Sequence, residues 1–396
     1  MSAGEESVDV LIAGAGVGGA ALALALSAKS ECRVLVCDRR GGPGNINRGD
    51  SLLPAVTRHL ADWGAMPAVM AAGARPVDRM QVFDASRGQV FAAPLPATAA
   101  PYVVLPHPEI ERALVETARA RCHVRVCYGH KLIKLERAAG RAVGATLQVS
   151  GGATVQVRAR VVIGADGATS TVREALGISL PLTDYDHSFY ITEVARPPGY
   201  EDAMRIELHA DGGVLVVPID ERRVGLGVLV FPEQEPLFRA GSLADKMAAI
   251  GRRSPLLAGL EPFPQGAHLY RLHRGHAARY VELNTALIGD AIHVTNPTAG
   301  QGMTMAIEDA EALARHLVPA LRGGDADIDA VLAAYERERR PRNAAQLRWS
   351  HWLSRLYAAR GRTAERARTT VFRLADSSPG RRLQGWIWSR LAARKV

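Results

Sequence analysis

The 396-residue sequence predicts an α/β fold: one parallel-sheet domain assembled from separated segments, with a second, β-rich domain inserted between them. Three observations predict it. Short apolar runs stopped by glycine or acid recur at residues 8–13, 160–163 and 285–288, as strands buried on both faces do. The first run is followed by an Ala/Leu-rich stretch, 18–27, and a second short run, 33–37. Strand, helix and strand then fit into about thirty residues, the size of one crossover unit. Finally, residues 76–105 and 181–280 carry short β-type segments broken by Gly and Pro.

The elements follow in order. Residues 55–63 and 108–121 predict helices, the second with Ile110, Leu114 and Ala118 on one face. Residues 124–128, 142–150 and 154–158 predict a small meander, separate from the buried strand at 160–163. Residues 213–218 and 223–231 predict paired strands around Ile219-Asp220-Glu221-Arg222. Helices are expected at 302–321, 331–359 and 362–374. The division is then 1–75, 106–180 and 281–340 for the parallel-sheet domain, 76–105 and 181–280 for the inserted sheet, and 341–396 for a basic helical region.

Composition sets bounds. With 47% hydrophobic and 22% charged residues, the chain buries an ordinary core, and disorder over most of it is excluded. Aromatics at 5% argue against a nucleic-acid binder built on stacked rings. The net charge of +9 is uneven: from Glu336 onward it is +12, and the rest of the chain is −3. A basic tail without a recognition motif does not predict nucleic acid as a partner. Cys32, Cys37, Cys122 and Cys127 form no C-x-x-C pair; buried thiols in a reducing compartment are expected, and no metal site. The N-terminus is acidic and lacks a signal-peptide pattern. The apolar stretch 8–28 contains glycines in a phosphate-loop pattern, so it predicts strand, turn and helix rather than a membrane span, in a cytoplasmic protein. In the tail, Trp349, Trp352, Leu353 and Leu356 share a helical face, and Trp386, Ile387, Trp388 and Leu391 lie among arginines. Packing on the parallel-sheet domain is the preferred reading. The other is peripheral contact with an anionic membrane.

Three motifs carry chemistry. Gly14-Ala15-Gly16-Val17-Gly18-Gly19 is a G-x-G-x-x-G between strand and helix. Gly14 permits the tight turn, Gly16 the approach of a pyrophosphate and Gly19 close helix–strand packing. The helix N-terminus offers free N–H groups and partial positive charge. Asp38 ends the next strand, placed to accept from a ribose 2′-hydroxyl, which favours FAD or NAD over NADP as the resident nucleotide. The second motif is Gly164-Ala165-Asp166-Gly167 after a buried strand, followed by a capped helix start near Ser170. The third is Gly289-Asp290-Ala291-Ile292-His293, then Pro297-Thr298-Ala299-Gly300-Gln301-Gly302-Met303 and Ile307-Glu308-Asp309-Ala310. Each alone reads as a turn. Three strand-end acidic turns in this order say more.

Together they resemble the single-component FAD-dependent aromatic hydroxylases, the family of para-hydroxybenzoate hydroxylase, over residues 8–321. The run 289–310 and the segment 48–54 are most similar to hydroxylases of the ubiquinone and alkylquinolone pathways. The resemblance implies a Rossmann-like FAD-binding domain, an inserted substrate sheet and a C-terminal helical region. It implies FAD with NAD(P)H as transient reductant and O₂ as co-substrate, hydroxylating an aromatic or lipophilic small molecule through a flavin hydroperoxide. Gly14, Gly16, Val17 and Gly19 would face the pyrophosphate. Asp38 and the adjoining Arg39 would face the adenosine ribose. Arg48 and Asp166 would lie by the flavin and nicotinamide path, Asp290 by the FAD ribose or ribityl chain, and Gly300, Gly302 and Met303 against the ring. His107 stands where the family often has an arginine. It is carried over as a cofactor contact, with capping or packing as the alternative.

No catalytic residue is assigned. His187, Tyr190, Arg205, His209 and His273 lie in the inserted sheet and could supply a base for a phenol; for each, a structural role is the favoured reading. Within the fold, a reductase or saturase, or an epoxidase, is the alternative, and a flavin-binding protein without turnover is another. A halogenase is disfavoured, because no Lys lies between Asp50 and His130 and no Trp in 212–218. Oligomeric state is left open.

Overall fold

The structure, a computed structural model, describes residues 6–44, 51–95, 100–323 and 327–382. Strand Glu6–Ala13 lies in a parallel sheet between Val34–Asp38 and Thr154–Gly164. Val124–Tyr128 extends the sheet on one side and Thr285–Leu287 on the other. Val10, Leu11 and Ile12 are fully buried, which is why this strand shows no polar alternation. Helix Val17–Lys29 is buried on nearly every face from Val17 to Ser27 and packs on helix Gln301–Arg322. A helix covered all round carries no amphipathic stripe.

The runs at 154–158 and 160–163 are one strand, Thr154–Gly164, rather than two. Its start pairs antiparallel with Arg141–Val149, and from Val157 onward it pairs parallel with Glu6–Ala13. Burial alternates at first and is continuous from Val161. The change of period that reads as a break in sequence is a change of neighbours.

A second sheet has eight strands in the order His293–Val294, Pro262–His276, Leu182–Ala195, Arg223–Val230, Val214–Pro218, Met204–Leu208, Arg79–Asp84, Gly88–Pro94. Two segments distant in sequence meet where Arg79–Asp84 runs parallel to Met204–Leu208. At the opposite edge, His293 and Val294 pair with His276 and Gly275, so the chain leaving the parallel sheet becomes the edge strand of the second. One face of this sheet is covered by helices Glu235–Ala240 and Leu243–Gly251, through Phe238, Ala249 and Ile250. These helices are absent from the β-rich reading of 181–280; six and nine residues are too short to impose a visible helical period.

Helix Ile328–Tyr357 runs unbroken through position 340, where the sequence reading divides two regions. The following helix, Arg362–Asp376, docks on the second sheet, not on the parallel-sheet domain. Phe372 meets Phe91 and Tyr357, Thr369 Oγ1 donates to Asp84 Oδ2 at 2.8 Å, and the Ala92 N–H donates to Asp376 Oδ1 at 3.2 Å. Strand Gly88–Pro94 is an edge, and its free backbone groups and apolar side chains require a cover. Nor are the tail's arginines all solvated. Arg339 is buried in ion pairs with Asp309 and Glu308, and buried Arg368 donates to the Tyr357 and Ala359 carbonyls. Trp386, Ile387, Trp388 and Leu391 lie outside the described residues. No described helix is long and apolar enough to cross a membrane.

Candidate functional site

The glycine-rich turn divides its work among its residues. Gly14 has φ +106°, and a β-carbon there would meet the Ala165 carbonyl oxygen at 2.2 Å. Gly19 packs the helix against the turn: its β-carbon would fall 1.9 Å from the Gly14 oxygen. That inward contact is the close helix–strand packing expected of it, and Gly19 is not among the residues that line the cavity. Gly16 is the opposite case. A β-carbon there would meet nothing within 4 Å, and the residue opens onto the cavity at a helix N-terminus that no side chain caps. This is an anion cradle with its space left free.

Asp38 sits at the rim of the same cavity, buried at the end of its strand. Its Oδ2 accepts the Ala15 N–H at 2.8 Å. Both oxygens also accept from Arg40, through the backbone N–H, Nε and Nη2, at 2.8, 3.0 and 2.8 Å. Burial pushes the Asp38 carboxyl up, but the hydrogen bonds from Arg40 and Ala15 outweigh it and hold it below the usual range. Arg40 is anchored in turn by Glu111 of helix His107–Arg119, whose other contact is the Gly44 N–H at 3.0 Å. Sequence reading missed both residues. Arg40 is visible two positions from Asp38, whereas nothing local connects it to Glu111. Arg39 is exposed at the cavity rim, and His107 lines it from the first turn of its helix. Arg48 lies outside the described residues.

The two acidic turns are joined. Asp166 caps helix Thr171–Ala175, accepting from the Thr171 and Val172 N–H groups at 2.7 and 3.2 Å and from the Ser170 hydroxyl. From that helix Arg173 reaches back to the Ala168 carbonyl at 2.8 Å and across to the Ala291 carbonyl at 3.0 Å, so one guanidinium sets the spacing between the turns. Asp290 is exposed into the cavity beside Gly289, whose φ is +62°. Gly300, at φ +61°, begins helix Gln301–Arg322 without a side-chain cap. Gly300, Gly302 and Met303 line the same cavity as the Gly16 cradle. Thr298 and Thr304 line it too, and their buried hydroxyls have no hydrogen-bond partner.

Behind this wall lies a buried network that sequence reading did not assemble. Asp309 is fully buried and accepts from His293 Nε2 at 2.7 Å, Arg339 Nε at 2.8 Å, Asn343 Nδ2 at 2.9 Å and the Gly289 N–H at 3.2 Å. Burial pushes its carboxyl up, but His293 and Arg339, with the Asn343 hydrogen bond, bring it down to about 2. Tyr335 adds a hydrogen bond to the Leu287 carbonyl at 3.0 Å. The glycine–aspartate turn is thus held from beneath by an ionised carboxylate.

All these surfaces belong to one cavity of about 2530 Å³, well above the roughly 300–1,000 Å³ of a single small-ligand site. It continues onto the second sheet, where Phe189, Ile191, Met204, Ile206, Leu215 and Val217 form the wall. Trp349 and Trp352, stacked at 5.0 Å and about half exposed, border it with Leu353 and Leu356. Of the five polar candidates on the inserted sheet, only His273 reaches this cavity, paired with the exposed Asp184 at 2.9 Å. His187 is buried between Asp186 and Ser354, and Tyr190 packs on Phe238 on the sheet's other face. Arg205 pairs with Glu207 over the Phe83 ring, and His209 lies by Asp211 in a turn.

A discontinuous parallel-sheet domain with this cradle, next to an apolar sheet chamber, defines a flavoprotein of the monooxygenase class. The chain belongs to the FAD binding domain family, whose pattern matches residues 7–350. It is 29% identical over 361 residues to the ubiquinone hydroxylase UbiL of Rhodospirillum rubrum, covering 89% of this chain and 82% of that protein. It is 28% identical over 343 residues to the 3-demethoxyubiquinol 3-hydroxylase of Escherichia coli, covering 84% and 86%. Among solved structures, Pseudomonas aeruginosa PqsL in complex with 2-aminobenzoylacetate superposes with a TM-score of 0.80 at 26% identity, over 93% of this chain and all of that one. The protein is an FAD-dependent oxidoreductase, with NAD(P)H as the family's reductant.

Proposed function

We propose that this chain hydroxylates an uncharged, lipophilic aromatic small molecule, held on the second sheet with its ring toward the turn at Gly300. The carrying observation is the continuity of one cavity from the Gly16 cradle to the apolar sheet wall. The residues fit FAD: Gly16 leaves space at a helix N-terminus, and the unpaired Thr298 and Thr304 hydroxyls offer polar partners at the far end. Gly14, Gly16 and Val17 would hold the pyrophosphate, Asp38, Arg39 and His107 the adenosine half, and Asp166 and Asp290 the ribityl side. Gly300, Gly302 and Met303 would lie against the ring. Bound FAD supplies oxygen insertion from O₂ at the expense of NAD(P)H. The protein's part is to orient the substrate, to exclude water with the apolar wall, and to present the positive end of helix Gln301–Arg322, which no side chain caps, to developing negative charge.

Support for an aromatic substrate comes from the relatives, two of them named for quinone-ring hydroxylation and one solved with 2-aminobenzoylacetate. The test is the visible spectrum of the purified protein, followed by NAD(P)H oxidation with alkylphenols, quinolones and benzoates. Flavin absorption and oxidation stimulated by the apolar phenols or quinolones is expected. A colourless protein that FAD does not reconstitute would overturn the reading. Stimulation by benzoates alone would overturn the lipophilic part.

A further inference from the structure

The sheet wall formed by Phe189, Ile191, Met204, Ile206, Leu215 and Val217 is apolar, and Tyr270, Arg271 and His273 line the cavity from the neighbouring strand Pro262–His276, Tyr270 with its ring against His268; a ring still has to be registered against the apolar part. An apolar wall holds a ring but does not fix which of its carbons faces the oxidant; one hydrogen bond to a ring substituent does. The polar groups near the junction of the two walls can be taken in turn. Asn296 is committed on both sides, accepting the Thr298 N–H at 3.0 Å and donating to Tyr185 at 2.8 Å. Thr295 donates to Ser350 at 3.0 Å. Arg205 and Tyr190 belong to the opposite face or its margin. His273 is tied to Asp184 at the rim.

Tyr102 is different. It belongs to an apolar cluster with Val77, Leu95, Val104 and Val217, against Met204 and Leu215 of the sheet wall. Its hydroxyl is hydrogen-bonded to Ser51. Ser51 is buried, and its Oγ would lie 2.9 Å from a β-carbon on Gly300, the residue that opens the cofactor-side helix. Both Tyr102 and Ser51 line the cavity. Their positions are fixed by the small three-stranded sheet, in which Ser51 pairs with Val104 and Leu52 with Val103. A ring rooted in the substrate wall therefore carries its hydroxyl to the cofactor wall. Burial pushes that hydroxyl up to about 12, only partly offset by Ser51, so it keeps its proton at neutral pH and acts as a hydrogen-bond donor rather than a base.

We propose that Tyr102, braced by Ser51, is the substrate-binding hydroxyl of this enzyme, donating a hydrogen bond to the oxygen or nitrogen substituent on the ring to be hydroxylated. This rests on the monooxygenase reading of the same cavity and adds the group that sets the ring's register. Ser51 is a positioning residue: it orients the Tyr102 hydroxyl and keeps it beside Gly300.

The test uses the FAD-loaded enzyme and two probes of equal shape, 4-propylphenol and propylbenzene, with binding followed by calorimetry. The wild type is expected to prefer the phenol roughly tenfold, the usual worth of one buried hydrogen bond. Tyr102→Phe, which keeps the ring and removes only the hydroxyl, is expected to abolish that preference, leave propylbenzene affinity within about twofold and leave the flavin spectrum unchanged. Ser51→Ala is expected to reduce the preference in part. A wild type that binds both probes equally, or a Tyr102→Phe enzyme that keeps most of the preference, overturns the proposal. Failure of the monooxygenase reading would show elsewhere, as absent NAD(P)H oxidation with the phenol preference intact.

Discussion

At the scale of single residues, the two outer glycines and the middle one are predicted to fail in different ways. Gly14→Ala places a β-carbon against the Ala165 carbonyl in a left-handed backbone; a loss of about 3 kcal/mol or more, or no folding, is expected. Gly16 has φ −69° and open space. Gly16→Ala is expected to keep or slightly raise the melting temperature while the protein purifies without its yellow colour. Melting curves and flavin absorbance on both variants check this. Asp309 gives the second prediction. Its folded pKa, about 2, lies below its ordinary 3.8, so its contribution is complete above about pH 4 and is lost as pH falls toward 2. Asp309→Asn leaves the buried Arg339 with Glu308 as its remaining carboxylate and replaces the charged acceptor of His293 and Asn343, and is expected to cost about 3 kcal/mol at pH 7. Urea titrations should show the gap to wild type narrowing between pH 4 and pH 2. The glycines were legible in sequence because the strand–turn–helix pattern around them is local, although the Ala165 carbonyl that crowds Gly14 is not. Asp309 with Arg339, and Arg40 with Glu111, were not, since a carboxylate and a guanidinium dozens of positions apart carry no mark of belonging together.

At the scale of elements, the clearest lessons are strand Thr154–Gly164 and helix Arg362–Asp376. The strand's buried half was legible as a run of Val and Ile, but its continuity was not, because periodicity reports neighbours rather than length. The helix was legible as a helix. Its partner was not, since an edge strand whose Ala92 lies 284 positions before Asp376 leaves no local sign that it needs a lid. Thr369→Val is expected to cost about 1 kcal/mol through loss of the bond to Asp84, measured by thermal or urea unfolding. Ending the chain after position 361 uncovers Phe91 and Tyr357 together with the edge backbone; soluble aggregates in light scattering are the expected result.

At the scale of the molecule, helix Ile328–Tyr357 binds the two sheets into one cooperative body. Arg339 and Tyr335 fasten it to the cofactor side; Ser354, Leu353 and Leu356 fasten it to the substrate side. Loss of bound flavin and loss of far-ultraviolet circular dichroism are therefore expected to coincide in a single denaturation step. Two separated transitions would show that the sheets unfold independently. The interleaved connectivity bears also on how the protein is made. Glu6–Ala13 and the helix after it are among the most apolar parts of the chain, and they leave the ribosome long before two of their partners. Ile12 can pair with Val36 early, but its other neighbour is Ile163, and the helix waits longer still for Gln301–Arg322. At ~5–20 residues per second the nascent strand spends roughly 8–30 s with one edge open. The segment that forms the cofactor's cradle is therefore synthesised well before the strand and helix that seal it, and its apolar edge is exposed through that interval.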